Sequence, residues 1–189
     1  MDLVELLFEK LSNLTVTTET EERKLRVYWD MKCLKPGDHW EPAFLAAISS
    51  SKLVVSVLSP GTFSKEGYPY NVAQLESGSK CDNVLLEIEV AMYLQAQKQT
   101  TILPLLVGPV VHAPIGGGVA EMYDDFFTAK SVPAELPSIR VECIDEKLHE
   151  LLGPQAPDSH PVDMLFKNVL ALQGHKLKGL RREVNFSKK

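Results

Sequence analysis

The chain has 189 residues, of which 44% are hydrophobic and 24% are charged, and its net charge is −5. These values are typical of one globular domain and exclude a collagen, a coiled coil or a disordered chain. The acidic balance argues against binding of the nucleic-acid backbone. Three widely spaced cysteines predict reduced thiols in a cytosolic protein, and the sequence predicts neither a targeting segment nor a membrane-spanning segment.

The first third of the chain alternates helix and strand patterns. Leucines at helical spacing predict an amphipathic helix from Asp2 to Asn13, followed by a polar surface connection. The β-rich run from Arg26 to Asp30 predicts a short strand, which ends at a turn containing Pro36-Gly37. A short helix is expected around residues 44–48. The apolar run from Leu53 to Leu58 then predicts a parallel strand that is buried on both faces.

The remainder continues the alternation with more irregular sequence. After a polar loop, apolar spacing predicts a third helix between Val84 and Gln95. Residues 101–107 form an apolar strand pattern in which Pro104 indicates an edge position or a bulge. The Gly- and Pro-rich segment 108–137 is expected to be a long irregular loop.

The C-terminal region predicts one more strand and one more helix. We expect the last strand at residues 138–143 and a closing helix from Val162 to Leu172. Residues 176–189 are rich in Lys and Arg and predict a frayed basic tail after a single domain of residues 1–175.

Alternating strands and helices favour an α/β fold, with a parallel sheet covered by helices on both faces. Ligands bind such sheets at the carboxyl ends of the strands. The loops after Asp30 and Leu58 and the start of the third helix are therefore expected to line one mouth.

Glu87 and Glu89 lie on the third helix, two residues apart, so they point roughly 200° away from each other. Only one of them can face a given cleft. Glu87 shares a face with Ala91, whose small side chain leaves room beside a carboxylate. A cleft-facing glutamate suits the stabilisation of an oxocarbenium-like centre. The alternative is a solvated glutamate that complements the helix dipole.

The loop that follows Asp30 is a second candidate for chemistry. It contains Lys32, Cys33, the Pro36-Gly37 turn and, at a helix start, Trp40. A flat aromatic ring can stack on a nucleobase or a pyridinium ring. The alternative is that the tryptophan packs the following helix on the core. The five histidines are scattered without ligand spacing, so no metal is expected.

In their order along the chain, these segments resemble a Toll/interleukin-1 receptor (TIR) domain. Residues 27–30 are similar to its second strand, residues 31–37 to its BB loop, and residues 48–59 to the helix-to-strand core that ends in a serine. Residues 82–91 are similar to the region of the family's Trp-x-x-x-Glu-x-x-x-Ala pattern, with Asn83 in place of the tryptophan. The Ser-Pro-Gly at 59–61 and the aromatic past the BB loop are most similar to NAD-cleaving TIR domains of multidomain eukaryotic proteins.

The resemblance implies a flavodoxin-like three-layer fold and a set of site residues. Because the chain opens in what resembles the first helix, the first strand is expected to be missing. Glu87 matches the catalytic glutamate, and Glu89 is the fallback. The implied substrate-binding residues are Trp40, Asp30, Ser59 and Asn83, and the implied BB-loop and interface residues are Lys32, Cys33, Pro36 and Gly37.

The implied reaction is cleavage of the nicotinamide–ribose bond of NAD⁺, giving nicotinamide and ADP-ribose or cyclic ADP-ribose. NAD⁺ is then the substrate and no cofactor is needed. The resemblance places this activity in cytoplasmic immune or cell-death signalling, with self-association or binding to other TIR domains. The alternative is a non-catalytic module that binds other TIR domains through the BB loop and through the helix that carries Glu87. A receiver-like domain fits less well, since no acidic pair follows a first strand.

Overall fold

A computed structural model describes residues 3–17, 21–34, 40–63, 72–115, 118–127, 136–177 and 179–180. The chain divides into two compact units, residues 1–51 and residues 52–189. No helix formed by the described residues is both long enough and apolar enough to cross a bilayer.

The first unit consists of short elements. They are α1 (Leu3–Ser12), β1 (Thr15–Thr17), β2 (Glu22–Lys24), α2 (Asp30–Cys33) and α3 (Trp40–Ser50). The predicted first helix and the helix around residues 44–48 are confirmed. Leu7 of α1 and Phe44 and Ile48 of α3 are buried, as their helical spacing requires. Strands β1 and β2 form an exposed antiparallel hairpin.

The strand predicted at residues 26–30 does not form. Residues 25–29 are irregular, and α2 already begins at Asp30. The backbone N–H groups of Lys32 and Cys33 both donate to the carbonyl of Trp29, at 3.0 and 2.8 Å, which turns the chain into the helix. The described strands of this unit, β1 and β2, pair with each other. A β-rich run without a neighbouring strand has no ladder in which to satisfy its backbone groups.

The second unit is built on a parallel sheet. Its strands are β3 (Leu53–Leu58), β4 (Thr101–Val107) and β7 (His175–Leu177), in the order β3-β4-β7. The helices are α4 (Pro60–Phe63), a 3-10 turn (Val72–Gln74), α5 (Asn83–Ala96), α6 (Glu142–Leu152) and α7 (Val162–Ala171). Helix α5 packs against β4, α6 and α7. The α/β fold class is confirmed, as are the predicted strands at 53–58 and 101–107 and the third and closing helices.

Two expectations about the sheet are wrong. Strand β3 is parallel, but it is not buried on both faces, because it lies at the edge of the described sheet and Leu53 is 50% exposed. Pro104 indicated an edge strand or a bulge, yet β4 is the central strand. The β4–β7 ladder begins at Leu105, so the missing N–H of Pro104 falls before its first pair.

The segment 108–137 is not one long irregular loop. It contains an antiparallel hairpin of β5 (Val110–Ile115) and β6 (Gly118–Tyr123), to which β8 (Gly179–Leu180) adds a third strand. Strand β5 is an edge strand of this sheet, where Pro114 interrupts no second ladder. Part of the predicted basic tail forms strands β7 and β8, whose backbones pair with β4 and β6 respectively.

Residues 138–143 do not form the predicted last strand. Residues 136–141 are irregular and α6 follows, a helix that the sequence patterns did not indicate. The carbonyls of Pro137 and Ile139 accept the N–H groups of Asp163 and Val162, at 3.2 and 2.9 Å. These bonds satisfy donors at the start of α7, which otherwise lack intrahelical partners.

Candidate functional site

Helix α5 begins at a side-chain cap. The Asp82 carboxylate accepts the backbone N–H of Leu85 at 2.9 Å, which satisfies one of the free donors at the helix start. Burial raises the pKa of Asp82, and hydrogen bonds from the backbone of Leu85 and Val84 oppose that rise. The cap fixes where the helix starts and therefore which residues occupy its first turns.

An open cleft of about 500 Å³ lies beside this helix start. Its lining residues are Leu75, Lys80, Cys81, Asp82, Asn83 and Val84. The sequence assigned Asn83 to substrate binding, and this residue does face a cleft. The lining combines a cation, a carboxylate and an amide with apolar surface, which is the chemical mixture that orients small polar ligands.

Glu87 lies one turn beyond Asn83 on α5, and its side chain is exposed. Residues four apart on a helix share a side, so Glu87 and Asn83 project from the same side of α5. Glu87 is not one of the residues that line the cleft. Ala91, which was expected to leave open room beside the carboxylate, is fully buried. The mouth predicted between the loop after Asp30 and the start of α5 involves both units and stays a prediction.

Glu89 is the inward-facing carboxylate, with only 4% of its surface exposed. Its Oε1 accepts the backbone N–H of His160 at 2.6 Å, and its Oε2 lies 2.9 Å from Nδ1 of the same residue. Burial raises the pKa of Glu89, while the bonds and charge of His160 lower it and Asp145 raises it. The expectation that the two glutamates point to different sides is confirmed.

Close packing surrounds the Glu89 carboxylate. The residues around it are Leu85, Val141, Ile144, Ser159, His160, Val162 and Leu165, and they leave no space for a water molecule. Asp145 accepts the backbone N–H of Ser159, so two carboxylates hold consecutive residues before α7. This arrangement ties three helices together and offers no room for a substrate.

Ser59 follows the carboxyl end of β3, as predicted. It is half-buried, its carbonyl accepts the N–H of Thr62 at 2.9 Å, and its own N–H donates to Oγ1 of Thr62 at 3.4 Å. These bonds start the short helix α4.

The described residues of the first unit that the resemblance assigns to substrate binding or to the BB loop make local contacts. Asp30 accepts the N–H of Met31 at 2.7 Å, and Lys32 forms an ion pair with Glu5 at 3.1 Å. The Cys33 thiol lies 3.4 Å from the backbone N of Trp29.

The remaining predicted residues of this unit are Pro36, Gly37 and Trp40. Pro36 and Gly37 lie outside the described residues. Trp40 is the first residue of α3, half-buried, with its ring 6.1 Å from that of Phe44. Both rings belong to α3, so this contact tests neither packing of the helix on the core nor ligand stacking, and both stay predictions.

His160, Asp145 and Ser159 are site neighbours that sequence reasoning missed. They lie far from Glu89 along the chain, and no spacing rule connects them. One signal was present: Glu89 stands between Ile88 and Val90 in an apolar stretch, where an unpaired charge is costly. In the part of the chain that the structure describes, no three His, Cys, Asp or Glu side chains converge as metal ligands do.

Comparison with known proteins gives one match. A family model described as TIR domain matches residues 14–136, which is more than half of the chain. No curated protein and no solved structure matches the sequence.

Proposed function

Because the chain belongs to the TIR domain family, we propose that it is an NAD⁺ glycohydrolase whose catalytic residue is Glu87. The observation that carries this proposal is the contrast between the two carboxylates of α5. Glu89 is buried and bonded to His160, whereas Glu87 is exposed one turn beyond the cleft residue Asn83. Of the two, Glu87 is the carboxylate that a bound dinucleotide can reach.

The reaction requires from the protein mainly one negative charge held at a fixed position beside the ribose. The nicotinamide of NAD⁺ is a cationic leaving group, and it takes the electron pair of the breaking C–N bond to become neutral. Positive charge then develops on the ribose. A carboxylate that accepts hydrogen bonds from the ribose hydroxyls stabilises this charge more in the transition state than in the ground state. Water attacks the anomeric carbon and loses a proton, giving ADP-ribose.

The other predicted residues take supporting roles in this proposal. Asn83 orients the substrate from the cleft. Ser59 and Asp30 bind the substrate from the ends of their segments. Trp40 supplies an aromatic surface to the nicotinamide. Attack by an atom of the adenine in place of water gives the cyclic product. NAD⁺ is the substrate, and we assign no cofactor.

We place this activity in cytoplasmic immune or cell-death signalling, where TIR domains associate with one another. Association then brings the BB loop of one copy, with Lys32, Cys33, Pro36 and Gly37, to the site of the next.

The alternative is a non-catalytic module that binds other TIR domains. It is favoured by the position of Glu87 outside the lining of the cleft and by the 40% exposure of the apolar Val84 on α5. In this alternative α5 is a docking helix, and the BB loop, with Pro36 and Gly37, supplies the other contact.

The two functions are separated by mixing the purified chain with NAD⁺ and following nicotinamide by chromatography. The enzyme predicts release that falls by a factor of about 100 or more in Glu87→Ala, the usual loss for a transition-state electrostatic group. Glu146→Ala, which removes another exposed helical glutamate, keeps the wild-type rate. The adaptor predicts no release from any variant, together with loss of TIR binding in Pro36→Ala. That result would overturn the proposal.

A further inference from the structure

Two cysteines that are distant in sequence meet at one junction of the second unit. The Sγ of Cys81 lies 3.6 Å from the backbone carbonyl oxygen of Cys143. Both residues are half-buried, and neither forms a disulfide in the structure. Cys81 precedes the cap of α5, and Cys143 lies in the first turn of α6.

A second contact holds the same two segments together. The carbonyl of Ser77 accepts the N–H of Glu142 at 3.0 Å, and the Ser77 hydroxyl donates to the Glu142 carboxylate at 2.8 Å. The segment before α5 therefore runs along the N-terminus of α6. The two segments that carry Cys81 and Cys143 are thus held together at two points.

The environment of each thiol suits oxidation. Cys81 lines the open cleft, so a small molecule can reach it, and Lys80 lines the same cleft. Cys143 lies in the first turn of α6, beside the segment that carries Cys81. An accessible cysteine whose sulfur approaches the backbone of a second cysteine resembles the paired cysteines of redox-sensing proteins.

We propose that Cys81 and Cys143 form a specific, reversible disulfide when the protein meets a small-molecule disulfide such as oxidised glutathione. A carbonyl oxygen lies about 2.4 Å from its own Cα, so the Cys81 sulfur is within about 6 Å of the Cys143 Cα. Rotation of the side chains and a small movement of the irregular segment before α5 close the remaining distance.

The exchange proceeds in two balanced steps. The Cys81 thiolate attacks one sulfur of oxidised glutathione, whose S–S bond breaks and releases one glutathione thiolate. The Cys143 thiolate then attacks the Cys81 sulfur and expels the second glutathione. The protein loses two electrons and two protons, and the oxidant gains them as two molecules of reduced glutathione.

The disulfide draws Cys81 from the cleft towards α6, next to the cap Asp82 and the cleft residue Asn83. We expect it to lower nicotinamide release, and reduction to restore that release. This consequence rests on the proposed function, whereas formation of the bond does not.

The test equilibrates the full chain in glutathione buffers of rising oxidised fraction, alkylates the remaining thiols and digests with trypsin. We expect peptide 81–98 linked to peptide 141–147, with a mass two hydrogens below their sum. Peptide 33–52, which carries the exposed Cys33, remains alkylated or glutathionylated. In a denaturant the same buffer gives all three cysteine pairings. Cys33→Ser keeps the 81–143 link, and Cys143→Ser leaves Cys81 as the glutathione adduct.

The proposal would be overturned if no disulfide linked Cys81 to Cys143 in buffers that modify Cys33. It would also be overturned if the folded protein gave the same mixture of three cysteine pairings as the denatured protein. Full linkage with unchanged nicotinamide release would overturn the predicted effect on the cleft. A chain that links these residues but never cleaves NAD⁺ contradicts the proposed function and leaves the disulfide standing.

Discussion

Glu89 of α5 receives both of its hydrogen bonds from one residue, His160, at 2.6 Å from the backbone N–H and 2.9 Å from the ring. The two residues are 71 positions apart in the chain. Because Asp145 of α6 holds the neighbouring Ser159, the segment before α7 is tied to two helices at once. With Glu89 fixed inward, the geometry of the helix turns Glu87 outward.

Replacing His160 tests what this contact contributes to stability. His160→Ala keeps the backbone N–H but removes the ring from a buried carboxylate. We expect the free energy of unfolding to fall by about 2 kcal/mol, the usual cost of losing a hydrogen bond to a charged group. Urea unfolding followed by circular dichroism measures this change. His149→Ala, on α6, is the comparison, and an equal loss in both variants would contradict a specific role for His160.

The raised pKa of Glu89 predicts a pH dependence of stability. A folded carboxylate with a raised pKa binds more protons than the same group in the unfolded chain. The free energy of unfolding therefore falls as the pH rises from 4.5, the ordinary pKa of this carboxyl group, through the raised pKa of the folded state. Glu89→Gln lacks this titration. We therefore expect the wild type to lose stability relative to Glu89→Gln on going from pH 4 to pH 7, measured by urea unfolding at each pH. A relative gain over this range would mean that His160 outweighs burial.

The cap of α5 can be tested with two substitutions of Asp82. Asp82→Ala removes the acceptor for the Leu85 N–H, and we expect a loss of about 1 kcal/mol. Asp82→Asn keeps an acceptor and removes a carboxylate whose pKa is raised by burial, so its stability should equal or exceed that of the wild type at pH 7. Thermal unfolding compares the three proteins, and the cap has no role if the alanine and asparagine variants are indistinguishable.

Gly108 joins β4 to the β5–β6 hairpin at a position with no space for a side chain. A Cβ there would collide with the backbone carbonyl of Asp124, so Gly108→Ala must displace one chain from the other. We expect a loss of about 1–3 kcal/mol. At Gly78 a Cβ would meet no atom, and Gly78→Ala should change stability by less than about 0.5 kcal/mol. Equal effects in urea unfolding would contradict the close approach at Gly108.

The sequence predicted correctly those strands and helices that are marked by an apolar run or by helical spacing within a few neighbouring residues. The apolar runs at β3 and β4 and the spacing along α1, α5 and α7 are visible in the sequence, and so are the opposite directions of Glu87 and Glu89. The run at 26–30 reads as a strand because of its composition, but a strand also needs a partner.

Other features depend on tertiary contacts that no local pattern contains. The hairpin of β5 and β6 was hidden by Pro114 and by the run of three glycines at positions 116–118 of the sequence, since both residue types usually interrupt strands. The partnership of Glu89 with His160 joins distant segments, and so does the meeting of Cys81 with Cys143. The cleft at Asn83 lies at the first turn of α5, beside the Asp82 cap, and part of its lining comes from Leu75 before the helix.

The assignment of the two α5 carboxylates is tested most directly by nicotinamide release from NAD⁺ in Glu87→Gln and Glu89→Gln, with thermal unfolding of both. We expect Glu87→Gln to unfold at the temperature of the wild type and to release nicotinamide more slowly by a factor of about 100 or more. We expect Glu89→Gln to unfold at a different temperature and still to release nicotinamide. The assignment of Glu87 would be contradicted if Glu87→Gln released nicotinamide at the wild-type rate, or if only Glu89→Gln lost release while remaining well folded.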